Sequence, residues 1–364
     1  MSTSPRRLIL HTEASRGFGG QEIRILTEAR WLSEHGWDAL VACQPESALW
    51  AEARAAGIDA VAVRMRSALD VAAFRALRRV MRERAVSLVH THSSVDSWLA
   101  AFAGRSLRLP VVRSRHVSIP ILRRRALVYR LADRILTSGE GVKALVVAAG
   151  IAPERIVSVP PGVDTRRFHP NVSGKAVRDE LGVAGPAVGL VANLRGSKGH
   201  AVFLEAARAI MRSAPETRFL IVGAGVGEAD IRRRIDELGL GAQVLMTGFR
   251  RDIPEVMAAL DVLVLPSVRS EASSQVIPQA LAVGTAVVAT TVGGSPELIR
   301  DGETGRLVPP DDARALAEAI LGLLRDPARA RAMARAGQAM VHARYSIDAT
   351  MGLTTAVYEE LLGR

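Results

Sequence analysis

Short apolar runs that end in turn residues alternate with segments of helical spacing along most of the chain. Residues 7–11, 39–42, 87–90, 111–112, 134–137 and 156–159 read as strands, and residues 21–35 as a helix with Ile23, Leu26, Ala29 and Leu32 on one side. Strands separated by helices predict βαβ units and a parallel sheet. The rhythm breaks at Pro160-Pro161-Gly162 and through the polar stretch 171–175, where Pro and Gly mark a linker. It then restarts with strands expected at 188–192, 218–222, 243–247, 262–266, 286–289 and 305–308. Residues 345–362 read as a final helix. The expected architecture is α/β, with two Rossmann-like parallel-sheet domains at residues 1–165 and 166–344. They are expected to face a cleft, with residues 345–364 packing back toward the first domain. In such sheets ligands bind at the carboxyl ends of strands.

Length supports the division, since 364 residues exceed the ~250–300 that one core usually serves. An apolar content of 48% excludes a disordered chain. Cys43 stands alone, so no disulfide and no cysteine-built zinc site can form. The longest apolar runs, such as 262–266, fall far short of the ~20 residues of a membrane span. The expected place is the cytoplasm, peripheral at most, at the inner face of the membrane.

The net charge of +11 comes from 48 cationic residues, of which only Lys143, Lys175 and Lys198 are lysine. So general a preference for arginine reads as composition, and only its clustering informs. Net charge attracts nucleic acid, anionic lipid or phosphorylated substrates. Aromatics make up 4%, too few for the interleaved pattern of a single-strand binder, and no nucleic-acid partner is expected.

Three clusters sit where strands give way to helices. The first is Gly17-Phe18-Gly19-Gly20-Gln21-Glu22, which reads either as a tight turn or as a place where backbone approaches an anion. The second is Asn193-Leu194-Arg195-Gly196-Ser197-Lys198-Gly199-His200, whose Arg195 and Lys198 could hold a diphosphate from two sides. The third runs from Ser267 through Glu271, Ala272, Ser273, Ser274 and Gln275 to Gln279. With Ser274 as N-cap, Pro278 falls at N4, inside the turn whose N–H groups lack acceptors. Those groups would face an anion and Glu271 would meet hydroxyls.

Other features are plainer. Gly223, Gly225 and Gly227 miss the G-x-G-x-x-G spacing by one position. Ser295 and Pro296 read as N-cap and N1 of a helix, and Asp311-Asp312 as a loop or helix start. At least one histidine of His90-Thr91-His92 should face the sheet interior. His116 follows a strand among Arg113, Arg115 and Ser118.

Taken in order, "FGGQE", "RSRHVS", "VPPGVDTRRF", "LRGSKGH", "LMTGFRRDIPEVMAALDVLVLPS", "SEASSQVIPQALA" and "TTVGGSPELIRDGETGRLVPP" resemble the retaining family 4 glycosyltransferases of the GT-B fold. The likeness extends over nearly the whole chain and is similar to enzymes of lipopolysaccharide-core and lipid-linked saccharide synthesis. It implies transfer from a nucleotide diphosphate sugar, first a UDP-sugar, to a saccharide or lipid-linked saccharide with retention. It implies His116, Arg195, Lys198 and Glu271 as catalytic residues. It implies donor contacts from Gly19, Gly20, Asn193, Gly248, Phe249, Arg250, Ala272, Ser273, Ser274, Gln275 and Gln279. No cofactor and no metal are implied.

The chain departs from the family pattern at three places. Gln279 stands where the family has its second glutamate, Asn193 where it has an arginine, and Pro161 where it has an asparagine. Glutamine can still serve a ribose diol, without charge. The alternative is a catalytically weak relative that binds nucleotide sugar. An oxidoreductase is disfavoured, because no proper dinucleotide fingerprint with its distant acidic residue follows the first strand.

Arg75, Arg78, Arg79 and Arg82 form a cationic stripe at helical spacing, with Phe74, Leu77 and Met81 beside it. Arg123-Arg124-Arg125, Tyr129 and Arg130 make a second basic patch. Such faces meet anionic acceptors or membrane surfaces, or are ordinary helix surface.

Overall fold

A computed structural model describes residues 7–122, 126–269 and 271–363. The chain forms two compact units, Met1–Gly162 with Ile347–Arg364, and Val163–Ser346.

The first unit carries strands β1 (Leu8–Glu13), β2 (Asp38–Cys43), β3 (Ala60–Ala62), β4 (Leu88–Thr91), β5 (Val111–Arg115), β6 (Arg134–Thr137) and β7 (Ile156–Ser158). They lie in the order β3-β2-β1-β4-β5-β6-β7, and every ladder is parallel. The strand order reverses at β1 and β4, the switch point where such sheets bind ligands. Register pairs His11 with His90 and His90 with Val112. Partners across a parallel ladder share a face, and so do alternate residues of one strand. His11, His90 and Ser114 therefore project from one face, and His92 and His116 continue the alternation just past their strands.

That face is covered by the helices Gly20–Glu34 and Ile347–Leu361. The last helix buries Ile347, Met351, Val357 and Tyr358 among Leu32, Trp37 and Leu136. Trp31 donates its indole N–H to Asp348 over 2.6 Å, tying the two helices together. Gly162 passes so close to this helix that a Cβ would lie 2.2 Å from Thr350 Oγ1. β3 has no counterpart in the sequence reading. It is three residues long, half-exposed and at the sheet edge, too short for a period to emerge.

The second unit holds β8 (Ala187–Val191), β9 (Arg218–Val222), β10 (Val244–Gly248), β11 (Val262–Leu265), β12 (Ala286–Thr290) and β13 (Arg306–Val308), ordered β10-β9-β8-β11-β12-β13. Its switch point lies between β8 and β11. The helix Pro327–Arg344 escaped the sequence reading because alanine and arginine dominate it. Asp326 caps it by accepting from Arg329 N at 3.0 Å. Gly337 lets it approach Leu281, where a Cβ would stand 2.6 Å from Cδ2. Among the described residues no helix is long and apolar enough to cross a membrane.

Candidate active site

In the second unit the chain leaves β8 through Asn193–Lys198 and leaves β11 through Pro266–Gln275. These two loops are fastened to each other. Val268 N donates to Ser197 O at 3.0 Å. Gly199 sits in the left-handed region against Pro266, whose carbonyl oxygen a Cβ would approach to 1.8 Å. Lys198 Nζ thereby reaches Glu271 Oε2 at 2.6 Å, although 73 positions separate them in sequence. Ser267 Oγ donates to the same oxygen at 3.0 Å. Both partners are largely buried, so the pair is a strong, charge-assisted contact.

Two glycine runs, minor in the sequence, turn out to hold these loops. Gly293, at φ +59°, lies where a Cβ would be 1.7 Å from the Glu271 carbonyl oxygen, and Gly294 N donates to that carbonyl at 3.0 Å. Gly294 is also the N-cap of the short helix Ser295–Leu298, so Ser295 is N1 and Pro296 N2, not N-cap and N1. The backbone bond to Glu271 moves the helix start back one residue. Gly223, Gly225 and Gly227 pack on the loop after β8, where a Cβ would come within 3.0 Å or less of a carbonyl oxygen of Ala192 or Leu194. They shape the Asn193–Lys198 loop instead of cradling a dinucleotide.

The helix after Glu271 runs from Val276 to Val283 with Gln275 as N-cap, one residue later than the sequence suggested. Ser274 Oγ accepts from Ile277 N at 3.4 Å, and Pro278, now N3, has no N–H. Of the N–H groups of residues 273–277 expected to face an anion, that of Ile277 is thus already engaged. Gln279 is half-buried on this helix, and Ala272 and Ser273 are half-buried before it. Asn193 and Arg195 are exposed at the end of β8. Phe249 is 65% exposed beside Gly248, which takes φ +71°. Arg250 differs from its assigned role. It grips Glu180 at 2.7 and 2.8 Å and Asp252 at 2.6 and 2.9 Å, and these carboxylates hold it still more firmly protonated than an ordinary arginine. Its guanidinium is engaged by the scaffold carboxylates Glu180 and Asp252. Asp312 caps the helix Ala313–Arg325 by accepting from Ala315 N at 2.8 Å.

In the first unit, Gly19 is the extended N-cap of the helix Gly20–Glu34, and its N–H goes to Glu22 Oε2 at 2.8 Å. A carboxylate thus already occupies this helix start. The loop before it hangs from Glu13 at the end of β1. Glu13 Oε1 accepts from Ser15 N at 2.7 Å, and Oε2 accepts from the Gln21 amide. Burial, helped by neighbouring Asp96, pushes the Glu13 carboxyl up to about 7. Asp96 is raised by burial too, and ties the ends of β1 and β4 by accepting from Thr12 Oγ1 and His92 N at 2.8 and 2.9 Å.

Beside these carboxyls the row of imidazoles closes. His11 Nδ1 lies 3.0 Å from His92 Nε2, and His92 Nδ1 lies 3.0 Å from His116 Nε2. His90 bonds Tyr358 Oη at 2.6 Å and Ser114 Oγ at 2.8 Å. Burial lowers His11 to about 4 and holds His90, His92 and His116 well below the usual histidine range. His11, His90 and His92 each bring one ligand atom within 4.8 Å of the others, a metal-like spacing. His90 has both nitrogens on hydroxyls, and the other gaps are N–H···N distances, so the cluster is a hydrogen-bonded chain. Both His90 and His92 face inward, in keeping with the expectation of at least one. No motif flagged this network. The signal available was His11, His90 and His116 at matching ends of successive strands.

Arg123, Arg124 and Arg125 lie outside the described residues. Tyr129 is not on a basic surface: it is buried, with Arg113 4.2 Å over its ring and Arg115 donating to its hydroxyl at 2.8 Å. The helix Val71–Glu83 buries Ala73, Leu77 and Met81 and exposes Arg75, Arg79 and Arg82, while Arg78 donates to Ser106 at 3.1 Å.

Residues 18–167 match the Glycosyltransferase Family 4 model, and residues 185–326 match that of Glycosyl transferases group 1. A 2-deoxystreptamine glucosyltransferase of Streptomyces kanamyceticus is 30% identical over 77% of this chain and 73% of its own length. The chain is a family 4 glycosyltransferase. The lipopolysaccharide core biosynthesis mannosyltransferase LpsB of Rhizobium meliloti is also 30% identical, over 65% of this chain and 68% of LpsB. Among solved structures, Anabaena Alr3699/HepE in complex with UDP superposes with a TM-score of 0.87 at 23% identity, covering 97% of this chain and all of that one. A Rickettsia africae glycosyltransferase gives 0.90 at 20% identity over 99% of this chain and all of its own. These likenesses identify the two-sheet architecture of this glycosyltransferase as GT-B.

Proposed function

We propose that this glycosyltransferase moves a glycosyl group from a nucleotide diphosphate sugar, a UDP-sugar first, to a saccharide or lipid-linked saccharide of the cell envelope, with retention. The observation that carries this is the Lys198–Glu271 pair at the carboxyl ends of β8 and β11. A developing diphosphate needs cations, and the donor sugar's hydroxyls need an acceptor. Lys198, with exposed Arg195, supplies the first, and Glu271 the second. Ala272, Ser273, Ser274 and Gln275 would line sugar and phosphate, Gln279 the ribose, Gly248 and Phe249 the base. In the first unit Gly19 and Gly20 would border the pyrophosphate and His116 the donor sugar. No carboxylate of the chain is assigned as nucleophile, so departure and attack would share one face of the sugar. The lysine and arginine take the place of a metal, and transfer should survive a chelator.

The test is transfer from UDP-glucose or GDP-mannose to envelope saccharides, with the product's anomeric configuration read by NMR. Lys198→Ala should lose about 2–4 kcal/mol of transition-state stabilisation, a fall of about thirty- to a thousandfold. Turnover near that of the wild type would remove the loop from the site. Inverted product would refute retention. Asn193 and Gln279 favour the second reading, a nucleotide-sugar binder of weak activity. Tight donor binding without transfer or donor hydrolysis would establish it. For the acceptor, the exposed Arg75, Arg79 and Arg82 suit an anion better than a cation. The peripheral position at a cytoplasmic membrane face belongs to this reading.

A further inference from the structure

His11, His92 and His116 form a chain in which each ring offers one nitrogen to the next. Each 3.0 Å gap holds a single proton, since two lone pairs or two N–H groups cannot share it. Burial keeps all three rings neutral, and around His116 the repulsion of Arg24, Arg113 and Arg115 works in the same direction. Each neutral ring carries one proton, so one choice sets them all: three protons on Nδ1, or three on Nε2. The inner end separates the two arrangements. His11 Nε2 is fully buried with no hydrogen-bond partner among the described residues. An N–H there would be an orphan donor, whereas a lone pair there is the milder defect. At the outer end His116 is half-buried, and its Nδ1 is not engaged by any described residue.

We infer that His11 and His92 are positioning residues that hold His116 as its Nδ1–H tautomer, so that it meets substrate as a hydrogen-bond donor and not as a base. A free imidazole favours the opposite tautomer, and the chain overrides it. The inference rests on the proposed function only for what His116 touches. The supporting framework is rigid. Asp96 fixes the His92 backbone, and Ser114 and Tyr358 fix the neighbouring His90. A His116 held this way would select donor-sugar oxygens with a lone pair to offer, and would disfavour a sugar presenting an ammonium there.

The experiment labels histidine with ¹⁵N in the full chain, without substrate, and reads the ring protons by long-range ¹H–¹⁵N spectra. In the wild type His116 should carry its proton on Nδ1. In His92→Asp, whose carboxylate can only accept, it should move to Nε2. In His92→Asn it should stay, because the side-chain amide can donate from near the lost Nδ1. His116 protonated on Nε2 in the wild type, or unmoved in His92→Asp, overturns the inference. In transfer assays His92→Asp should lower kcat by about ten- to a hundredfold, with donor KM little changed, and His92→Asn should recover most of it. Loss of kcat in both variants alike would reduce His92 to a packing residue. Full transfer by His116→Ala, with the tautomers as expected, would instead sink the assignment of His116 and leave the histidine chain standing.

Discussion

Lowering the pH from 6 to 5 should loosen the first unit sharply, and the buried imidazoles set the size of the effect. His11 titrates at about 4 in the folded chain, and His90, His92 and His116 are also held well below 6.5, all four chiefly by burial. Below the unfolded value the unfolded chain takes up protons that the folded one refuses. The stability these groups contribute is therefore present above about 6.5 and is lost as pH falls toward the folded values. Each such histidine costs about 1.2 kcal/mol between pH 6 and pH 5. Glu13 works the other way. Its folded value of about 7 means that the folded chain holds the extra proton, and acidification relieves it by a similar amount. Asp96, raised by burial, opposes the histidines in the same sense. Four groups against two leave a net loss of about 2–4 kcal/mol. Asp70, Glu180, Asp252 and Asp301 are lowered below ordinary carboxylate values, so their contribution is lost at still lower pH. The assay is urea unfolding followed by tryptophan fluorescence. Trp31, Trp37, Trp50 and Trp98 all belong to the first unit, so the signal reports that unit alone. With a slope of about 2–3 kcal/mol per molar, the midpoint should fall by about 1 M. A midpoint at pH 5 equal to or above that at pH 6 would refute the reasoning, and would mean that the rings are charged or hydrated in the fold.

Gly293→Ala places a methyl 1.7 Å from the Glu271 carbonyl oxygen at a φ of +59°. It should cut kcat/KM by about tenfold or more while the melting temperature falls by only a few degrees; unchanged kcat/KM would deny that the glycine seats Glu271. Gln279→Ala should weaken nucleotide binding, read by calorimetry, more than it slows the chemical step, read in single turnover; the reverse split would move Gln279 away from the ribose. Binding to anionic vesicles should fade as salt rises past the screening range of ~8–10 Å and should drop on charge reversal of Arg75, Arg79 and Arg82, with donor affinity unchanged. Equal binding to neutral vesicles, or none to either, would favour a soluble acceptor.

The strand–helix alternation and twelve of the thirteen described strands could be read from residue order alone, because parallel strands buried on both faces are short apolar runs. β3 and the helix Pro327–Arg344 could not, since neither shows an apolar period. The family motifs pointed to Lys198 and Glu271, each next to a strand end, but nothing in the linear order joined one to the other. That 2.6 Å contact exists because β8 and β11, 70-odd residues apart, are neighbours in the sheet. The same holds for the glycines. Gly293 reads as a turn residue until its position against the Glu271 backbone shows what a side chain would displace. The resemblance put Arg250 in a donor-binding segment, but that its guanidinium pairs with Glu180 was not legible in the sequence, since 70 positions separate the two. Each histidine of the first unit, seen alone, was an ordinary core or strand-end residue. Alternation puts His90 and His92 on one face by local geometry, and register then brings His11 and His116 to either side of them. Local periodicity is encoded by neighbours in the chain, whereas charge state and hydrogen-bond partnership depend on burial and distance, which exist only once the sheets have closed.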